Sequence, residues 1–142
     1  MTMPTRGRPR RYDPDRALDA ALAVFWAHGF AGTTLDALCA AMDMNRPSVY
    51  AAFGDKRRLF EQALSRFGAR LAAHGRAALA APDLADALGS LFAGVIPLYV
   101  PDGRPRGCLV YGVAAVDAPE DEAVRAFVAD AVGGLEDRKS VV

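Results

Sequence analysis

The chain has 142 residues, 52% hydrophobic and 24% charged, with acidic and basic side chains balanced at 17 each. That length suits one ordinary core or a small module joined to a second one, and two cysteines are too few for a disulfide framework. Cys39 and Cys108 fall on apolar helical segments and nothing resembles a secretory signal, so a reduced, cytoplasmic setting is expected. The most apolar windows, Leu91 to Val100 and Cys108 to Val116, fall far short of the roughly 20 residues a membrane-spanning helix needs, so no membrane association is expected.

The balance of charge hides a polarity along the chain. Residues 1–60 carry nine Lys/Arg against six Asp/Glu, and residues 61–142 carry eight against eleven. The first part suits a polyanion and the second does not. Arg6, Arg8, Arg10 and Arg11 precede any acidic residue and alternate with Gly7 and Pro9, so residues 1–11 read as a flexible basic arm.

Asp13 as N-cap and Pro14 at the first helical position open a helix to about His28, striped by Leu18, Ala21, Leu22, Phe25 and Trp26. Gly29 is expected to end it. Thr33 or Thr34 caps a second helix, whose Leu35, Leu38, Cys39 and Met42 follow the i, i+3, i+4, i+7 pattern and face the first. Asp43, Met44 and Asn45 form a turn, and Asn45 caps a third helix that begins at Arg46 and Pro47. Val49 and Phe53 supply its core face, while Arg46, Ser48, Tyr50 and Ala51 point mostly elsewhere.

A longer helix follows from Lys56 to about Ala80, with Phe60, Leu64, Phe67, Leu71, His74 and Ala78 at alternating steps of four and three. At about 1.5 Å per residue it spans roughly 35 to 40 Å, enough to join two modules. Pro82 and Asp83 mark a break before a fifth helix from about Leu84, which Pro97 is expected to end or kink. The loop PDGRPRG, Pro101 to Gly107, leads into a short apolar helix over Cys108 to Val116. Asp117 with Glu120 three residues later resembles a capping box and opens a last helix striped by Val124, Phe127, Val128, Ala131 and Leu135. No strand pattern competes. The fold class is all-α, divided into the arm (1–11), a three-helix head (12–55) and a second helical domain (56–142).

Two short helices joined by a tight turn and followed by a basic helix start have the layout of a helix-turn-helix DNA reader. Such a reader enters the major groove end-on, keeps its first turn small or polar for base edges, and is pinned by phosphate contacts on either side. Thr33 and Thr34 offer hydroxyls and backbone N–H groups at a helix start, which suits a phosphate. Lys56 is placed to grip another, and Tyr50 has the reach to put its phenol on backbone oxygen. Arg46 and Ser48 are the base-edge candidates, Arg46 because a guanidinium takes guanine bidentately, with Asn45 and Pro47 shaping the same first turn. Arg6, Arg8, Arg10 and Arg11 would add minor-groove or phosphate contacts. The competing reading is a helical protein-interaction module that uses the same hairpin without DNA.

The order GFAGTTLDALCAAMDMNRPSVYAAFGDKRRLF resembles the N-terminal domain of the TetR/AcrR family of bacterial transcriptional regulators. Gly29 and Phe30, the Thr33–Thr34 helix start, Tyr50, Phe53 three later and Lys56 three beyond fill the family's places. The resemblance covers about residues 12–64 and implies a ligand-responsive repressor, in which a homodimer grips a near-palindromic double-stranded DNA operator until a small effector reshapes it. Asp43 stands where the family commonly has a turn glycine, Pro47 where it often has another, and Asn45 where Ser or Thr is usual. Family members also continue for two more long helices that form the dimer interface. Their absence here leaves dimerisation in doubt for this chain. The last six residues, DRKSVV, break the apolar pattern and resemble the translation of a common sequencing-adapter sequence, so Asp137–Val142 reads as read-through from a truncated gene, which resequencing the locus would test.

In the second domain the candidate effector-pocket residues are Phe67, Leu71, His74, Phe92, Ile96, Tyr99, Cys108, Tyr111 and Phe127, a set that favours a small apolar or aromatic molecule and equally describes an ordinary helical core. His28 and His74 stand far apart and outside metal-ligand spacings, so no metal and no cofactor are expected. The chain has no Walker loop, no dinucleotide-binding GxGxxG, no GxSxG and no carboxylate pair tied to a histidine, so no enzymatic activity is expected.

Overall fold

The computed structural model describes residues 12–109, 112 and 122–136, and every described element is helical. Helix α1 spans Pro14–Gly32, α2 Leu35–Met42, α3 Arg46–Phe53, α4 Lys56–Leu79, α5 Leu84–Tyr99 and α6 Glu122–Glu136, with a single 3-10 turn at Pro101–Gly103. The caps do what their chemistry suggests. Asp13, Thr34, Asn45, Asp55 and Asp83 each accept a backbone N–H from the first turn of the helix they precede, which satisfies donors that have no partner inside the helix. Gly29 breaks α1 as expected, at φ 70° and ψ 178°, a conformation that disfavours a side chain. One more helical turn, 30–32, follows the break before Thr33.

The α2–α3 turn rests on Asp43, left-handed at φ 52° and ψ 45°. Its N–H donates to the Ala40 carbonyl at 3.4 Å, and the Met44 N–H donates to the Cys39 carbonyl at 3.0 Å, the double closure of a Schellman motif. Asp is tolerated there but carries a Cβ that the conformation disfavours. Asp43→Gly is therefore expected to raise stability by about 1 kcal/mol, readable as a higher urea midpoint with an unchanged slope. An unchanged or lowered midpoint would contradict it.

The core joins Ala21, Leu22 and Phe25 of α1 to Leu38 and Met42 of α2, Val49 and Phe53 of α3, and Leu59, Phe60, Leu64 and Phe67 of α4. Phe60 lies at its centre, with ring centroids 5.1 Å from Phe25, 5.4 Å from Phe30 and 6.4 Å from Phe127. The head is further tied to the long helix by a charged cluster. Arg66 donates from Nε and Nη2 to Asp19 at 3.0 and 3.3 Å and pairs through Nη1 with Asp15 at 3.0 Å, and Arg70 reaches the same Asp19 at 3.1 Å. Hydrogen bonding to Asp19 raises the Arg66 pKa above its ordinary value.

Helix α5 runs past Pro97 by two residues. Pro97 thus lies in its last turn, before the end at Tyr99, and the Val100 N–H closes that end on the Ile96 carbonyl at 2.8 Å. No residue of α5 is fully buried. Its half-buried face packs on α4, where Gly94 permits close approach: a Cβ there would lie 2.7 Å from His74 Nδ1. A neighbouring stripe exposes Leu84, Leu88, Phe92 and Ile96, which the cap residue Val100 continues. Among the described residues, no helix is long and apolar enough to cross a membrane.

Candidate nucleic-acid interface

Helix α3 is only eight residues long, and its orientation is set from both ends. At its start Asn45 Oδ1 accepts the Ser48 N–H at 2.9 Å. At its end the Gly54 N–H closes on the Tyr50 carbonyl at 3.0 Å, and Gln62 of α4 donates to the Phe53 carbonyl at 2.9 Å. Val49 and Phe53 are buried, and the Phe53 ring meets Tyr12 edge-on at 5.9 Å. With that side fixed, the helical repeat turns Arg46, Pro47, Tyr50 and Ala51 to solvent as one face, with Ser48 half-buried beside it. Tyr50 is 52% exposed, high for an aromatic side chain. An exposed helix start of this composition can place donors on base edges and a phenol on a phosphate.

Arg46 has a partner that sequence spacing does not reveal. Its Nε and Nη2 both donate to Asp36 Oδ1, at 2.9 and 2.6 Å. Hydrogen bonding to Asp36, then its charge, raises the Arg46 pKa, so the guanidinium stays cationic. The two residues stand in the first turns of α2 and α3, ten positions apart, and only the angle between the helices brings them together.

The phosphate-holding set divides. Thr34 is an exposed helix cap whose Oγ1 accepts the Ala37 N–H at 3.2 Å, and it keeps the expected position at the start of α2. Thr33 does not. It is 2% exposed, its hydroxyl donates to the Gly29 carbonyl at 2.6 Å and its N–H to the Phe30 carbonyl at 3.3 Å, so it seals the end of α1. Tandem threonines offer one cap and one plug, and the broken turn at Gly29 decides which is which. Lys56 is half-buried. Its ammonium donates to the Thr33 carbonyl at 2.8 Å and lies 4.5 Å above the Phe30 ring, which makes it an anchor between the start of α4 and the α1–α2 connection.

The expected effector-pocket residues are only partly brought together. Phe67 and Tyr99 meet edge-on at 6.0 Å; burial, with the neighbouring Cys108 thiol, pushes the Tyr99 phenol up. Leu71 and Phe127 pack against the core, and His74 is taken up by the α4–α5 contact. Phe92 and Ile96 stand more than half exposed on α5, whereas Leu91, Val95 and Leu98 are half-buried and Leu98 and Tyr99 pack against the core. A recess of about 270 Å³ lies elsewhere, lined by Phe25, Trp26, Ala27, His28, Gly29, Leu109 and Gly112. At its edge Trp26 Nε1 donates to the Arg106 and Gly107 carbonyls at 3.1 and 3.2 Å, and the indole meets Phe67 and Tyr99 at 5.1 and 5.5 Å. A tryptophan joining head to loop was not legible in advance, since its partners are backbone carbonyls 80 residues downstream.

The arm with Arg6, Arg8, Arg10 and Arg11, the pocket candidate Tyr111, the capping pair Asp117 and Glu120, and Asp137–Val142 lie outside the described residues, as does most of the helix expected over Cys108 to Val116. Among the described residues, no cluster of His, Cys, Asp or Glu has the makings of a metal site.

Residues 17–63 match the family model of bacterial regulatory proteins, tetR family. Over 118 residues, 82% of this chain, the sequence is 34% identical to the HTH-type transcriptional repressor ComR of Escherichia coli (strain K12), taking in 56% of that protein. It is 39% identical over 61 residues to the HTH-type transcriptional repressor BdcR of the same organism, covering 43% of this chain and 31% of BdcR. The chain thus spans about half the length, or less, of these curated relatives. Among solved structures, a cysteine-substituted TetR family transcriptional regulator CifR complexed with 26bp double-strand operator DNA superposes with a TM-score of 0.72 at 39% identity, over 89% of this chain and 67% of that one.

Proposed function

The chain belongs to the TetR family of bacterial regulatory proteins, and on that premise we propose that it is a sequence-specific DNA-binding transcriptional repressor released by a small effector. Membership places it among regulators and not among enzymes. The observation that carries the reading is α3, capped by Asn45, held from below by Val49 and Phe53, and presenting Arg46, Pro47 and Tyr50 on one exposed face. In this reading α3 lies in the major groove, Arg46 and Ser48 address base edges, and Tyr50 and the N-terminus of α2 at Thr34 take flanking phosphates. The names of ComR and BdcR support repression, and the CifR complex supports duplex operator DNA as the partner.

The reading extends to a homodimer in the complete protein, with two α3 helices meeting half-sites of a near-palindromic operator about one DNA turn or a small multiple apart, and to work in the cytoplasm, where the chromosome lies. The effector is proposed to be small and apolar or aromatic, entering near Phe67, Tyr99 and Cys108, where the rings stand beneath the head.

Duplex binding measured against salt tests the reading. Affinity is expected to fall steeply as salt rises. Arg46→Ala is expected to cost about 1–3 kcal/mol on a selected site and to relax one base position, and Tyr50→Ala to weaken all sequences alike. Absent or salt-independent binding by the folded chain would sink it.

A further inference from the structure

Resting on the proposal that α3 reads DNA, we propose that Asp36 is a specificity-determining positioning residue: it holds the Arg46 guanidinium by one edge so that the opposite edge meets a guanine. The geometry is specific. Asp36 Oδ1 accepts from Nε and Nη2, which occupies the side edge of the guanidinium and leaves the end edge, with one N–H from each terminal nitrogen, to face outward. Those two parallel N–H groups match the O6 and N7 acceptors of guanine in the major groove. An unrestrained arginine on the same turn samples many rotamers and can turn to a phosphate as readily as to a base.

The charge of Asp36 acts in the same direction. A carboxylate beside the guanidinium repels a phosphate oxygen that would approach it, while the neutral acceptors of a guanine edge carry no such penalty. The side chains are 58% and 74% exposed, so the pair contributes little to folding and stands where DNA can reach it. Asp36 thus makes Arg46 a poorer general cation and a better base reader.

Enriching sequences from a pool of randomised duplexes with the full chain and its Asp36→Ala, Asp36→Asn and Arg46→Ala variants tests this, alongside salt titrations on one unselected duplex. Circular dichroism melts check that each exposed substitution leaves the fold intact. Wild type is expected to enrich a guanine at one position. Asp36→Ala should weaken that preference about tenfold, and on unselected DNA bind more tightly with a salt slope steeper by about one counterion, as Arg46 moves to phosphate. Asp36→Asn should fall between, and Arg46→Ala should lose the preference entirely. If Asp36→Ala keeps both the wild-type preference and the wild-type slope, the pair is a surface ion pair and the inference falls. If it loses a preference at a position that Arg46→Ala leaves intact, Asp36 reads a base itself and the positioning role is wrong. Failure of the folded wild type to bind any duplex would overturn the DNA-reading function, and this inference with it.

Discussion

Phe60→Ala is expected to cost about 3–5 kcal/mol of folding stability, a large share of the roughly 5–15 kcal/mol a domain possesses. The ring is 1% exposed and sits where α1, α4 and α6 meet, against Phe25, Phe30 and Phe127. Truncation removes buried apolar surface and leaves a void that its aromatic neighbours cannot close, since Phe25 and Phe30 are held by α1 and Phe127 by α6. Urea unfolding followed through Trp26, the only tryptophan of the chain, gives the number. DNA binding should weaken in parallel, because α3 is held against the same core. A loss below about 1 kcal/mol would mean that the site collapses freely and that Phe60 does not join the helices as described.

Lys56→Met is expected to lower stability by about 2 kcal/mol while preserving most of the stem's packing. Its ammonium donates to the Thr33 carbonyl at 2.8 Å and faces the Phe30 ring, and a hydrogen bond from a charged donor contributes more than a neutral one. Without it, the connection that sets the start of α2 relative to α4 loses its anchor. The urea midpoint should drop, and DNA affinity should fall with the salt slope nearly unchanged. The opposite result, a slope shallower by about one with stability intact, would return Lys56 to the direct phosphate contact that its place at a helix start suggests.

How much was legible follows from what kind of interaction each feature rests on. The α2–α3 boundaries were readable because Thr34, Asp43 and Asn45 act within a few residues of themselves, through caps and a left-handed turn. The exposed face of α3 was readable because burying Val49 and Phe53 forces Arg46 and Tyr50 outward through the helical repeat. The protein partners of Thr33 and Lys56 were not readable for a shared reason: each interacts across a chain reversal, and in sequence a threonine or lysine beside a helix start looks the same whether it faces solvent or the protein. The effector-pocket set mixed residues from both faces of α5, because a helix that is apolar nearly all round gives periodicity nothing to select.

The sequence by itself determined the first five helices, their caps, the α2–α3 turn and which face of α3 is exposed, since these depend on local backbone chemistry and on a single helical period. Only the tertiary structure decided which charged and polar side chains meet: Arg46 with Asp36 across two helices, Lys56 with the Thr33 carbonyl, Trp26 with carbonyls of the loop after α5, and Arg66 with Asp19 between head and long helix. The physical reason is one of range. Apolar burial is non-directional and leaves a periodic trace in sequence, whereas a hydrogen bond acts over about 3 Å and is set by crossing angles that no local pattern encodes.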